Sequence, residues 1–219
     1  MPRPLSARAS AAVYVCVALL ACAAQLACTP QGDPGLEAGG FRDDFNRLEL
    51  GPNWRATGSG WEVRDGQLHA RGARNHPLWL RRTLPHDVRV TFTARSESPD
   101  GDIKCELFGD GVSYAKDIEY DATSYVVILG GWHNTLNVLA RMKEHGADRV
   151  VGKQKKVIEG HAYHVEIERR GALLTVRVDG EELMRLDDPN PLAGRGHDHF
   201  AFNDWESSVW FDDLTITPL

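Results

Sequence analysis

Sustained helical spacing is missing from this 219-residue chain. Nowhere do apolar side chains recur at three- and four-residue intervals for more than a turn or two, which excludes a helical bundle or a doubly wound α/β domain. Cysteine is scarce as well. Of the four present, Cys16, Cys22 and Cys28 fall among the first thirty residues, leaving Cys105 alone in the remainder and excluding a disulfide framework. There is no basic run: 25 Lys and Arg face 31 Asp and Glu, a formal net charge of −6, and nucleic acid is disfavoured as a partner. No internal repeat or low-complexity block interrupts the chain. The one long apolar run, Ala11 to Leu20, is too short to span a bilayer as a helix.

That run has a different meaning at its position. Arg3 and Arg8 precede it and no acidic residue interrupts it, the pattern of a secretory signal. Leu19-Leu20-Ala21-Cys22 resembles the lipobox of bacterial lipoproteins, which implies lipidation of Cys22 and a membrane anchor. Gln25-Leu26-Ala27-Cys28 is a second match, but Gln25 stands where the motif wants an apolar or small residue, so Cys28 is the reserve. Ordinary cleavage near Ala27 would instead release a periplasmic or secreted protein. The expected organisation is a signal peptide over 1–22, a Pro- and Gly-rich tether over 23–39, and one domain over 40–219. The expected location is the cell envelope.

From Phe41 onward the pattern is β. Asp65-Gly66 and Asp179-Gly180 each lie between alternating segments, a strong signal for two-residue hairpins. Val88 to Arg95 alternates without a break, with Val88, Val90, Phe92 and Ala94 on one face and charged or hydroxyl side chains on the other. About a dozen short strands separated by turns predict an all-β, two-sheet antiparallel sandwich.

One strand stands apart. In Gly101 to Gly111, GDIKCELFGDG, the apolar Ile103, Cys105 and Leu107 alternate with Asp102, Lys104 and Glu106. A strand sends these to opposite faces, so a charged row, extended by Phe108, is expected opposite a buried one.

The order FRDDFNRLELGPNW, WEVRDGQLHA, LLTVRVDGEEL and VWFDDLTITPL resembles the concanavalin A-like lectin/glucanase superfamily, the jelly-roll group that includes laminin-G-like domains. The resemblance covers nearly all of the chain beyond the signal. It implies two stacked sheets, one concave, with carbohydrate bound in the concave groove. Retaining glucanases of that fold carry Glu-x-Asp-x-Glu on a concave-face strand, and Asp102, Lys104 and Glu106 occupy the three positions here. Only Glu106 matches by residue type. A retaining mechanism needs two carboxyl groups about 5 Å apart. Lys104 between them is expected to hold both carboxylates ionised, which harms a general acid.

Glu106, Asp102 and His133 are therefore the catalytic candidates. Lys104, Phe108, Trp132, Asn134, Arg141, His199, Asn203 and Trp205 are the candidates for holding a glycan, since sugars take flat rings against their apolar faces and fixed polar groups at their hydroxyls. Proton abstraction by a lyase could draw on Tyr114, Tyr120, His133, Arg141 and Lys104. His197 and His199 share a strand face but lack an identifiable third metal ligand. Asp43-Asp44 and Asp212-Asp213 would meet if the terminal strands pair, making Asp44 and Asp213 candidates for a structural Ca²⁺. Three functions remain open: a glycan-binding module, a glycoside hydrolase or polysaccharide lyase, and an envelope protein with a protein-binding surface.

Overall fold

The computed structural model describes residue 1, residues 32–117 and residues 120–219. Cys22 and Cys28, and with them the anchor expectation, lie outside the described residues. The compact unit spans Gly32–Leu219.

Among the described residues, fifteen strands form it. In chain order they are β1 (Phe41–Asp43), β2 (Trp54–Ala56), β3 (Trp61–Arg64), β4 (Gln67–Arg71), β5 (Leu78–Leu80), β6 (Val88–Ser96) and β7 (Ile103–Gly109). There follow β8 (Tyr125–Gly130), β9 (Leu136–Arg141), β10 (Val150–Val151), β11 (Ala162–Arg170), β12 (Leu173–Val178), β13 (Glu181–Asp187), β14 (His199–Asn203) and β15 (Ser208–Pro218). One antiparallel sheet has the order β13-β12-β11-β6-β15-β4-β3, with β1 also paired to β15, and the other runs β10-β9-β8-β7-β14-β5-β2. The fold is the expected all-β sandwich of jelly-roll type.

Both Asp-Gly turns behave as read. Asp65 and Gly66 have φ of 52° and 74°, and Asp179 and Gly180 have 53° and 81°. These are the two left-handed residues of a tight hairpin whose twist suits its strands. The clean alternation of β6 places Val88, Val90, Phe92 and Ala94 in the core between the sheets. There they meet Ile103, Cys105 and Leu107 of β7 and Phe200 and Phe202 of β14. Each fully buried large apolar side chain of this set contributes roughly 1.5–3 kcal/mol relative to exposure.

β7 sits at the centre of the seven-stranded sheet, but its second face is not solvated. The stretch after β7 folds back over it: Ala115, Tyr120 and Ala122 pack on Val126 and Ile128 of β8 and on Val138 and Ala140 of β9. Trp79 Nε1 donates to the Ser113 carbonyl at 2.9 Å, and the Ala115 N–H to the Asn75 carbonyl at 2.8 Å, fixing the cover. Gly109 permits it, since a Cβ there would come within 2.3 Å of the Trp79 ring. Much of the face expected as an open groove is thus a second, small apolar core.

Phe108 departs from the expected row for a local reason. The β7–β14 register shifts between His199 and Phe200, and Phe108 has a φ of 60°. This bulge turns its ring into the main core, edge-on to Tyr125 and with the Arg169 guanidinium 4.1 Å from its centroid.

The terminal strands pair as expected, β1 against β15, and Asp44 and Asp213 border one surface cleft. The Asp43 carboxylate in this cleft is already engaged by the protein's own donors: Arg47, Trp54 Nε1 at 2.8 Å and the Phe45 N–H at 2.9 Å. A cation is already present there as the Arg47 guanidinium, paired with Asp43. Among the described residues no group of three or more His, Cys, Asp or Glu gathers to hold a metal.

Residues Gly32 to Gly39, expected as part of the tether, belong to the compact unit. Pro34 to Leu36 lies against the sandwich: the Thr83 N–H donates to the Pro34 carbonyl, and the Leu36 N–H to that of Thr83. Asp33 sits within 3.0 Å of Arg55, 3.3 Å of Arg81 and 3.4 Å of His199.

Candidate functional site

A cleft of about 370 Å³ opens on the uncovered end of β7. Its floor is built by strand spacing: Lys104 on β7 stands opposite Ile128 on β8, and Asp102 lies two residues earlier on the same side. Lys104 is 2% exposed; its ammonium donates to Asn75 Oδ1 at 2.6 Å and pairs with Glu144. Asn75 and Glu144 line the same floor.

Two tryptophans flank it. Trp132 is carried by the turn Gly131–Asn134, in which Trp132, His133 and Asn134 all have left-handed φ of 52–60°. Three consecutive non-glycine residues in that region are costly and persist only when their surroundings hold them. The Asn134 side chain supplies the hold, donating to the Pro99 and Val157 carbonyls and accepting from the Val157 N–H at 2.8 Å. Trp132 is further braced by the edge of His145, 5.3 Å away, and by the Arg149 guanidinium, 4.6 Å from the ring centroid. Trp205 also lines the cleft, its backbone N–H donating to Asp102 Oδ2 at 3.1 Å.

Behind the floor is a buried carboxyl network. Glu106, 0% exposed, accepts from Ser124 Oγ at 2.5 Å, Asn203 Nδ2 at 2.6 Å and Tyr120 OH at 3.1 Å. Burial raises its pKa in spite of those donors and the nearby Lys104 charge. Burial likewise raises Asp102, against the opposing charge of Lys104. The expectation that Lys104 would hold both carboxylates ionised is therefore reversed, because desolvation outweighs one shared ammonium that is already bonded to Glu144. Asp204, fully buried, is pushed up to about 7 by burial and then by the charge of Asp102. Its Oδ2 accepts from the Ala73 N–H at 3.1 Å, while its Oδ1 makes no hydrogen bond among the described residues.

The structure thus brings Asp102, Lys104, Trp132, His133 and Trp205 to one cleft. His133 is on the rim, its side chain 88% exposed and 3.2 Å from Asp100. Glu106 and Asn203 are one layer beneath and do not line it. Asn134 fastens the turn. Phe108 is in the main core. Arg141 pairs with Asp188 at 3.0 Å, and His199 lies between Asp198 at 2.7 Å and Asp33; neither reaches the cleft. Asn75, Glu144 and His145 line the same cleft and are not among the residues expected from the sequence. Their only sequence signal is polarity in turn-rich segments; tertiary contact across 29 and 40 residues to Lys104 places Asn75 and Glu144, and His145 lies against Trp132.

No family model matches the chain. Over 143 residues it is 26% identical to an extracellular exo-α-L-arabinofuranosidase from Streptomyces chartreusis, a match covering 63% of this chain and 16% of that enzyme. Among solved structures it resembles the carbohydrate-binding module CBM66 from Bacillus subtilis, with a TM-score of 0.56, 13% identity and coverage of 78% of this chain and 98% of the module. It also resembles the exoplasmic/lumenal domain of VIP36 in its Ca²⁺/Man3GlcNAc-bound form, with a TM-score of 0.57, 10% identity and coverage of 77% and 84%. These likenesses show the fold.

Proposed function

We propose that this chain is an exported carbohydrate-binding β-sandwich that receives a glycan in the cleft between Trp132 and Trp205. The observation that carries the reading is the cleft itself: two tryptophans flank a floor of fixed polar groups, Asn75, Asp102, Lys104 and Glu144. Flat rings suit the apolar faces of sugars, and groups already held in place bind hydroxyls with little ordering cost. The solved structures of like fold include carbohydrate-binding proteins, and the curated relative is an extracellular carbohydrate-active enzyme. Anchoring through a lipid on Cys22, with Cys28 in reserve, belongs to the same reading, and labelled palmitate incorporation into wild type but not Cys22→Ala checks it.

The test is a glycan array on the purified protein, followed by calorimetry of the best ligand. Trp205→Ala and Trp132→Ala should each weaken binding about tenfold or more, the scale of one aromatic anchor, with circular dichroism unchanged. Binding that survives both substitutions, or no binding to any glycan, sinks the reading.

Hydrolysis is the second reading, and one observation favours it. Asp102 and Glu144 line the same cleft in unlike environments, one desolvated and the other held by an ammonium. Unlike environments are what separate an acid from its carboxylate partner in glycosidases. Release of new reducing ends by wild type but not by Asp102→Asn or Glu144→Gln would establish it.

A further inference from the structure

The charges around the cleft do not balance. Asp100, Asp102, Glu144 and Glu206 line it, and Lys104 is the one lysine or arginine that does. Three of those four carboxylates have a partner. Lys104 holds Glu144, Arg74 lies 2.9 Å from Glu206, and His133 lies 3.2 Å from Asp100. Asp102 accepts a backbone N–H from Trp205 and has no ion-pair partner among the described residues. Asp204 lies behind Asp102 and does not itself line the cleft. Asp204 is fully buried with one carboxyl oxygen unbonded, and it is close enough for the Asp102 charge to perturb it. Asp102, held by the Trp205 backbone, is therefore the one carboxylate lining the cleft that no cation pairs among the described residues. Its nearest lysine has its ammonium already committed to Glu144 and Asn75.

Resting on the glycan-binding reading above, we propose that the cleft selects its ligand by charge. It takes a sugar bearing a free amine over the N-acetylated counterpart, and either of these over a uronate. An ammonium would supply Asp102 with its missing partner, and a charge-assisted hydrogen bond is roughly twice as strong as a neutral one. It would also lie beside Trp205, whose ring face attracts cations. Carboxylates accept from neutral hydroxyls too, so an acetylated sugar is admitted with lower affinity. A uronate would bring a further negative charge to a site that disfavours its own, and this counts against the lyase chemistry that needs basic groups around a sugar carboxylate.

The experiment is calorimetric titration of the purified protein with glucosamine, N-acetylglucosamine and galacturonate oligosaccharides of equal length. It is run in mildly acidic buffer, where the sugar amine is charged, at low and at physiological salt. The expected result is binding of the amino oligosaccharide about tenfold tighter than the acetylated one, weakening with salt, and no measurable binding of the uronate. Asp102→Asn should bring the amino and acetylated ligands to similar affinity without changing the circular dichroism spectrum. Equal or tighter binding of the acetylated or uronate ligand overturns charge selection, as does an amine preference that persists in Asp102→Asn. Binding of none of the three also overturns it, and the array then decides separately whether the cleft binds glycans at all.

Discussion

Asp204 is the residue whose ionisation should be most visible from outside the cleft. Its carboxyl is pushed from 3.8 to about 7 in the folded chain, so between these values the native state holds a proton that the unfolded state releases. Stability must then fall as pH rises through that window, by an amount on the order of a few kcal/mol if the group acts alone. Asp33 works in the opposite sense: burial opposes its charge, but Arg55 and Arg81 outweigh burial and keep it below 3.8, so its contribution is present above that value and lost on acidification. The clean comparison is therefore a difference. Melting temperatures of wild type and Asp204→Asn between pH 4 and pH 7 should converge as pH falls relative to an offset set by the substitution, with the wild type losing stability toward pH 7 and the variant flatter. Parallel curves would mean that Asp204 does not carry the proton. Asp204 was not visible as a candidate in the sequence. An aspartate after a strand reads as solvated turn chemistry, and only its full burial beside Asp102 gives it a raised pKa.

At the scale of elements, the left-handed turn after β8 matters most to the site, because it sets the position of Trp132. Asn134→Ala removes all three side-chain hydrogen bonds and leaves a non-glycine residue at a φ of 60°. The expected loss is about 2–3 kcal/mol by chemical denaturation, together with weaker glycan binding through a displaced Trp132. Asn134→Gly relieves the backbone strain but not the lost bonds, and should fall between the two. If Asn134→Ala and wild type unfold alike, the turn is not held as described.

The same scale shows what was legible in the sequence. Asp-Gly pairs at 65–66 and 179–180 and the alternation of β6 carried enough local information to place hairpins and the core face, since both depend on near neighbours. The charged row Asp102, Lys104 and Glu106 was legible as one face of one strand. Its burial was not, because the cover comes from Ala115, Tyr120 and Ala122 packing back on β8 and β9. Phe108 was misplaced for a similar reason: a single bulge reverses the parity on which every alternation argument rests.

For the molecule as a whole, the sandwich starts earlier than the composition suggested. Gly and Pro in Gly32 to Gly40 read as tether, but Asp33 reaches Arg55, Arg81 and His199 and fixes that segment to the sheet that carries the cleft. Asp33→Asn should leave the sandwich folded and expose the leading segment to limited proteolysis, read by mass spectrometry as faster cleavage before residue 40. Unchanged cleavage would show that the Pro34–Thr83 and Leu36–Thr83 hydrogen bonds suffice alone.

Residues far apart in sequence converge on the open end of β7 to line the cleft proposed to receive a sugar. The most direct measurement is a crystal structure of the protein with the tightest glycan from the array. The expected result is a sugar ring against Trp205 or Trp132 with a polar group within hydrogen-bonding distance of Asp102. A glycan seated anywhere else, on the exposed Tyr114–His76 stack for example, with the cleft empty, would contradict it.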